Sequence, residues 1–197
     1  MRWFMKVICF LLLLAGFNAI GQDDPFSEAC VTDTEYELYL QINSYRNAHG
    51  LPSIPLSGSL CVVAGAHAWD LETNRPDRGP CNMHSWSDSG PWPGCCYTDD
   101  HREARCVWNK PGELTSYQGY GYEIAFFHSQ PGNKSGSMAG LALEGWKGSS
   151  GHKNMILNRY SWKRLKWKAM GVGIYGRYAV VWFGEEADTA GKARRCD

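Results

Sequence analysis

Past its first two dozen residues, the 197-residue chain lacks any apolar run long enough to cross a bilayer, which takes about 20 consecutive residues. It also lacks net charge, with 20 Lys and Arg against 20 Asp and Glu. That balance removes the long-range field by which basic proteins gather nucleic acid or anionic lipid. No internal repeat or low-complexity linker divides the chain, so its length suits one domain with its own core. Cysteines occur, but never in the C-x-x-C spacing of a structural zinc site. No serine stands in a nucleophile-elbow pattern either, and Ser149 and Ser150 read as a chain turn rather than nucleophiles. These absences exclude a membrane-spanning protein and argue against a nucleic-acid binder and a serine hydrolase.

At the start, Arg2 and Lys6 border an apolar run, Val7 to Phe17, followed by Ala19-Ile20-Gly21. A charged start, a short apolar centre and a small-x-small close read as an export signal cleaved after Gly21. The expected division is therefore a signal over 1–21, a domain over 22–186 and a frayed polar tail over 187–197. No cysteine follows the small residues, so lipid attachment is not expected. Loss of Arg2 and Lys6 moves the charge only to about −2. The expected location is secreted or extracellular, or periplasmic in a bacterium, where disulfides are the default state of cysteine.

Seven cysteines remain after Cys9 is removed: Cys30, Cys61, Cys81, Cys95, Cys96, Cys106 and Cys196. Neighbouring Cα atoms lie about 3.8 Å apart, whereas a relaxed bridge wants roughly 4.4–6.8 Å. Cys95 and Cys96 are thus expected to pair elsewhere, with Cys81 and Cys106 as local partners in either arrangement. Seven is odd, and Cys196 in the tail is the first candidate for the unpaired thiol. Asp99, Asp100 and His101 lie among these thiols and offer a metal cluster as the alternative. Oxidised cysteines beside Trp86, Trp92 and Trp108 favour a disulfide-pinned aromatic loop.

Thr32 with Glu35 forms a capping box. Leu38, Ile42 and Tyr45 then follow at helical spacing until Gly50. A second helix is expected over 59–72 with Leu60, Ala64, Ala68 and Leu71 on one face; His67 within it reads as structural. Residues 73–118 read as irregular. Tyr120 to His128 reads as a strand bearing Glu123, and Gly132 to Gly136 as a flexible loop. Ser137 caps a third helix with Met138, Leu141, Ala142 and Trp146, and the turn 148–151 delivers His152. Strands over 169–175 and 178–185 close the domain around a two-residue turn, Gly176-Arg177. The class is α+β, with helices covering a small, mainly antiparallel sheet. KRLKWK (163–168) alternates bases and aromatics, as some nucleic-acid binders do, but reads as a solvated approach to a strand with Trp162 and Trp167 packed beneath.

Taken together, YLQINSYRNAHGLPSIPL, AHAWDL, His84-Ser85, GYEIA, W-x-x-S-x-GHKNMIL, MGVGI and YAVVWFGE resemble a CAP (SCP) domain. That superfamily includes cysteine-rich secretory proteins, insect antigen 5 and plant pathogenesis-related proteins, and the likeness is greatest to its prokaryotic-like branch. It covers about residues 33–186, while 87–118 departs from the pattern and looks like an elaboration. The resemblance implies an α-β-α sandwich with a central cleft of two histidines and two glutamates, which bind divalent metal in several members. His84 matches the first histidine, Glu123 the strand glutamate and His152 the second histidine. Ser149 stands where the second glutamate belongs. Glu144 is five residues away, about 140° around a helix, and does not replace it. The implied site is therefore His84, Glu123 and His152 around a divalent metal, zinc foremost, with Ser149 lining the fourth position.

From the residues alone, two imidazoles and a carboxylate suit a first-row ion that keeps a water. The same groups also suit a carboxylate that only pairs with histidines, since burying it unpaired is costly. The expectation is a non-enzymatic binding protein with no assigned catalytic residue. Its partner is a small ligand (lipid, sterol or glycan) or a protein, with no nucleic acid and no integral membrane association. The alternatives are a metal-dependent, peptidase-like hydrolase working through metal-bound water, and an interaction module with a vestigial cleft.

Overall fold

The structure, a computed structural model, describes residues 30–129 and 136–197. The export signal with Cys9, and residues 132–135 of the expected glycine loop, lie outside the described residues.

The chain runs α1 (Asp33–Asn47), α2 (Gly58–Thr73), α3 (Ala104–Trp108), α4 (Lys110–Leu114), β1 (Gly121–Phe127), α5 (Met138–Gly148), α6 (Ser150–Ile156), β2 (Ala169–Tyr175) and β3 (Tyr178–Gly184). The capping box is present: the Glu35 amide donates to Thr32 Oγ1, and Thr32 N–H donates to Glu35 Oε2 at 2.8 Å. Ser57 and Ser137 cap α2 and α5 with their hydroxyls alone, accepting from the amides of Leu60 and Gly140. The expected irregular segment holds two short helices, α3 and α4. The turn expected to deliver His152 is instead the first turn of α6.

The sheet is antiparallel with strand order β1-β3-β2, so β3 is central. Side chains alternate across it. Ile124, Val172, Val181 and Phe183 join α1, α5 and α6 in one core cluster. Ala125, Tyr178, Val180 and Trp182 join α2 and the cysteine-rich segment in the other. This is the expected α-β-α sandwich. Gly171 and Gly173 explain how closely α2 lies on β2: an added Cβ would come 2.1 Å from the Leu60 backbone and 2.3 Å from that of Ala64. Only glycine leaves room for a helix backbone at that distance.

Cys81–Cys96 and Cys95–Cys106 bridge the elaboration, and the neighbouring cysteines are not joined to each other. Cys196 is not the odd thiol. It pairs with Cys30, and Cys61 is the free, buried cysteine. Burial pushes the Cys61 thiol up to about 12, so it packs as a small apolar group. The expected frayed tail is tied down as well. Asp188 accepts hydrogen bonds from Ser57 Oγ (2.6 Å), Ser59 N–H (2.8 Å) and Ser59 Oγ (2.9 Å) at the start of α2. The tail looked frayed because it has no large apolar residues to bury; a carboxylate at a helix start and a disulfide hold it, with Ala193 against the core.

Gly173→Ala is expected to lower stability by about 3 kcal/mol, the upper range for overpacking a core, and Gly171→Ala similarly, read from urea unfolding midpoints. Asp188 is held below its ordinary value: burial opposes this, but the bonds from Ser57 and Ser59 outweigh it. Its contribution is therefore complete above the unfolded carboxylate range and fades as pH falls through the lower folded value. Asp188→Asn is expected to remove that acid-side slope in a pH series of the same measurement.

Candidate functional site

Glu123 lies on β1 with the parity of Gly121 and Ala125, so its side chain enters the sheet face that α2 covers. Its carboxylate is 1 % exposed and divided between two imidazoles. His67 Nδ1 approaches Oε2 at 2.6 Å, and His84 Nδ1 donates to Oε1 at 3.0 Å. His67 is completely buried on α2, with its ring stacked on Trp86 at 4.2 Å between centroids. Its Nε2 lies 2.9 Å from the Ser85 carbonyl and donates to it. The 2.6 Å contact sets two buried polar atoms, His67 Nδ1 and Glu123 Oε2, against each other without hydrogen-bond alignment.

His84 reaches Glu123 because its loop is fixed on both sides. Its own N–H donates to Asn82 Oδ1 at 3.0 Å. Trp86 and Cys95 exchange two backbone hydrogen bonds of 2.8 Å each, and both local disulfides brace the same loop. The ring edge meets Tyr97 at 5.6 Å. With Nδ1 committed to Glu123, Nε2 remains for the cleft, consistent with a side chain 27 % exposed. His152, on the first turn of α6, lines the same cleft.

These neighbours bias protonation in opposite directions. Burial opposes charging His84, but the Glu123 hydrogen bond and charge outweigh it and raise its pKa. Burial and the nearby His84 charge lower that of His152. For Glu123, burial acts upward, yet the His67 charge and the bonds from His67 and His84 bring it down to about 2.

The structure brings His84, Glu123 and His152 to one cleft of about 440 Å³, walled by Tyr97, Trp108, Tyr122 and Trp162. Ser149 is the N-cap of α6 and lines a neighbouring cavity of about 450 Å³, to which His152 also contributes. Glu144 pairs with Lys147 on the surface. Of the three expected metal ligands, Glu123 has Oε1 hydrogen-bonded to His84 and Oε2 in contact with His67. Among the described residues, no group of three His, Cys, Asp or Glu is arranged to hold an ion. Asp99 accepts from Asn82 and His101 bonds Tyr97, so the alternative cluster is taken up by loop contacts. Asp70 accepts from Ser87 N–H and Oγ.

His67 is the residue whose role the sequence concealed. It lies seven residues after Leu60 and four before Leu71, squarely on the buried stripe of α2. A histidine there needs a buried partner, and Glu123 is the carboxylate on the facing sheet surface.

No protein-family model matches the chain, and no curated protein matches its sequence. Among solved structures it is similar to an extracellular protein containing an SCP domain from Bacillus anthracis, at 20 % identity and a TM-score of 0.52. That match covers 78 % of this chain and 40 % of the other. A cysteine-rich secretory protein from Staphylococcus aureus aligns at 15 % identity and a TM-score of 0.47, over 78 % of this chain and 39 % of its own. An outer surface protein from Borrelia burgdorferi aligns at 17 % and 0.49, over 78 % and 96 %. The first likeness establishes the SCP-domain fold. The chain spans about two fifths of the length of the first two proteins.

Glu123→Gln is expected to cost about 3–5 kcal/mol in a denaturation experiment, the range for removing one partner of a buried pair. Because the folded pKa is depressed, this stabilisation is present above the unfolded value of about 4.3 and is lost toward pH 2. Imidazole NMR titration should place His84 above and His152 below the ordinary value of about 6.5. A titration in the reverse order would contradict the pairing described.

Proposed function

We propose that the chain is an extracellular, non-enzymatic binding domain whose cleft takes a small organic ligand presenting a ring or sugar face. The observation that carries this reading is the inward commitment of Glu123, with Oε1 hydrogen-bonded to His84 and Oε2 held in 2.6 Å contact with buried His67. A carboxylate so occupied serves neither as a metal ligand nor as a free base. What faces solvent is an aromatic-walled hollow with a few polar groups, chiefly His84, His152 and Asn82. That composition suits ligand recognition, in which apolar walls supply area and sparse polar groups fix orientation. The secreted setting is supported by three disulfides and by the extracellular SCP-domain neighbour.

One observation favours hydrolysis instead. Glu123 holds His84 through Nδ1 and leaves Nε2 toward the cleft, as an orienting carboxylate does for a general base. Against it, no hydroxyl or thiol is hydrogen-bonded to His84 among the described residues.

Native mass spectrometry with elemental analysis of protein purified from its own host's medium tests the choice. A co-purifying organic ligand is expected, bound roughly tenfold more weakly after Trp108→Ala or Tyr122→Ala, since ring contacts contribute about 0.5–1.5 kcal/mol each. Peptide and ester cleavage should remain at background in wild type and in His152→Ala. A cleavage activity that His152→Ala abolishes would replace the binding reading with the hydrolytic one.

A further inference from the structure

We propose that residues 159–168 form a docking ridge for an acidic polysaccharide, a second binding surface that goes beyond the small ligand of the cleft. The overall neutrality of the chain conceals a strong segregation of charge. Residues 145–184 contain eight of its 20 Lys and Arg and none of its 20 Asp and Glu.

The ridge is a fixed platform rather than a loose basic run. Arg159 N–H donates to Asn154 O at 2.8 Å, Asn158 Nδ2 to Leu165 O at 3.0 Å, and Trp167 Nε1 to Met155 O at 2.9 Å. Trp162, Leu165 and Trp167 turn inward onto the core. Arg159, Lys163, Arg164 and Lys166 are left exposed, and none makes an ion pair among the described residues. Lys168 has only a half-exposed contact with Glu186 at 3.6 Å, which contributes little in water. Holding four like charges together without partners costs stability through mutual repulsion. A polyanion would remove that cost.

Tyr160 adds an aromatic face to the cations. Its side chain is 80 % exposed, and its φ of 52° lies in the left-handed region, which costs a non-glycine residue roughly 1 kcal/mol or more. The exposed aromatics decide the class of partner. Among the described residues the large exposed hydrophobics are Leu40, Tyr120, Phe127, Tyr160 and Tyr175, and of these Tyr160 is on the ridge. A bilayer-binding face needs an apolar side to insert, and an unpaired nucleic acid strand needs several exposed rings for successive bases. A chain of charged sugars needs spaced cations and an occasional ring. The ridge also borders the cleft at Trp162, whose ring meets Tyr122 at 5.5 Å.

The test is binding to heparin, a sulfated polysaccharide, across a salt series, with neutral dextran and vesicles containing anionic phospholipid run in parallel. Wild type is expected to bind heparin and not dextran. Combined Lys163→Gln, Arg164→Gln and Lys166→Gln should leave the unfolding midpoint unchanged or slightly raised, since it relieves the repulsion. The triple variant should weaken heparin binding about tenfold or more at about 0.15 M salt. The slope of log affinity against log salt should fall by about 3, one per cation lost. A matched set elsewhere, Arg78→Gln, Arg105→Gln and Lys192→Gln, should bind as wild type does. Equal loss in both triple variants, or no heparin binding by wild type, overturns the ridge. So does vesicle binding that the first variant abolishes, which would make the partner a membrane. Loss of heparin binding with Trp108→Ala while the triple variant binds normally would assign the polymer to the cleft alone.

Discussion

The arrangement on which the rest of the site depends is one buried carboxylate shared by two imidazoles. Glu123 comes from the edge strand, His67 from the helix on the facing layer and His84 from a loop outside both. Three elements far apart in sequence are thus fixed to one point by groups that cannot be left unpaired without large desolvation costs. The grip explains why the elaboration is so heavily braced. Two disulfides, a backbone exchange between Trp86 and Cys95, and buried Lys110 all hold the segment that carries His84. Lys110 reaches both Pro93 O and Glu113 and lies over the Trp86 ring. The bracing positions a single side chain, and through it the wall of the cleft.

The same carboxylate also restricts chemistry. An acid oriented toward solvent could ligate an ion or accept a proton, but one saturated from both sides acts as a strut. Its strong preference for the charged form follows from that role, since burial is the largest single influence on it but the two imidazoles together favour the anion more than burial disfavours it. The opposed biases of His84 and His152 make the cleft electrically uneven, with positive charge favoured beside Glu123 and disfavoured at α6.

Much of this was readable beforehand, for definite reasons. The capping box at Thr32, the strand pair around Gly176-Arg177 and the exclusion of a bridge between neighbouring cysteines rest on local geometry, which a sequence displays directly. Three of the charged groups that matter were placed in order by their motifs. His67 escaped because its role depends on what lies across the layer boundary, and helical periodicity shows a buried face but not its partner. For Glu123 the residues left a metal ligand and a carboxylate paired with histidines both open, and its contact with His67 was invisible for the same reason. Ser149 and His152 were expected on a turn; a helix begins there, so they share one hollow while His152 alone also reaches the cleft of His84 and Glu123. The tail misled because a short polar segment resembles disorder unless its one carboxylate and one cysteine are known to have partners.

Those partners have a mechanical meaning. Cys30 and Cys196 are covalently joined across 166 residues, so the two ends of the described domain meet at one hinge-like point. Tension applied through sequence on either side would be carried by the sulfur–sulfur bond and would bypass the sheet and helices. Under load, whether from shear flow or from a polymer fixed to a surface, the domain would swivel about that point with its cleft undistorted. It would begin to unravel only after the bond itself had been reduced.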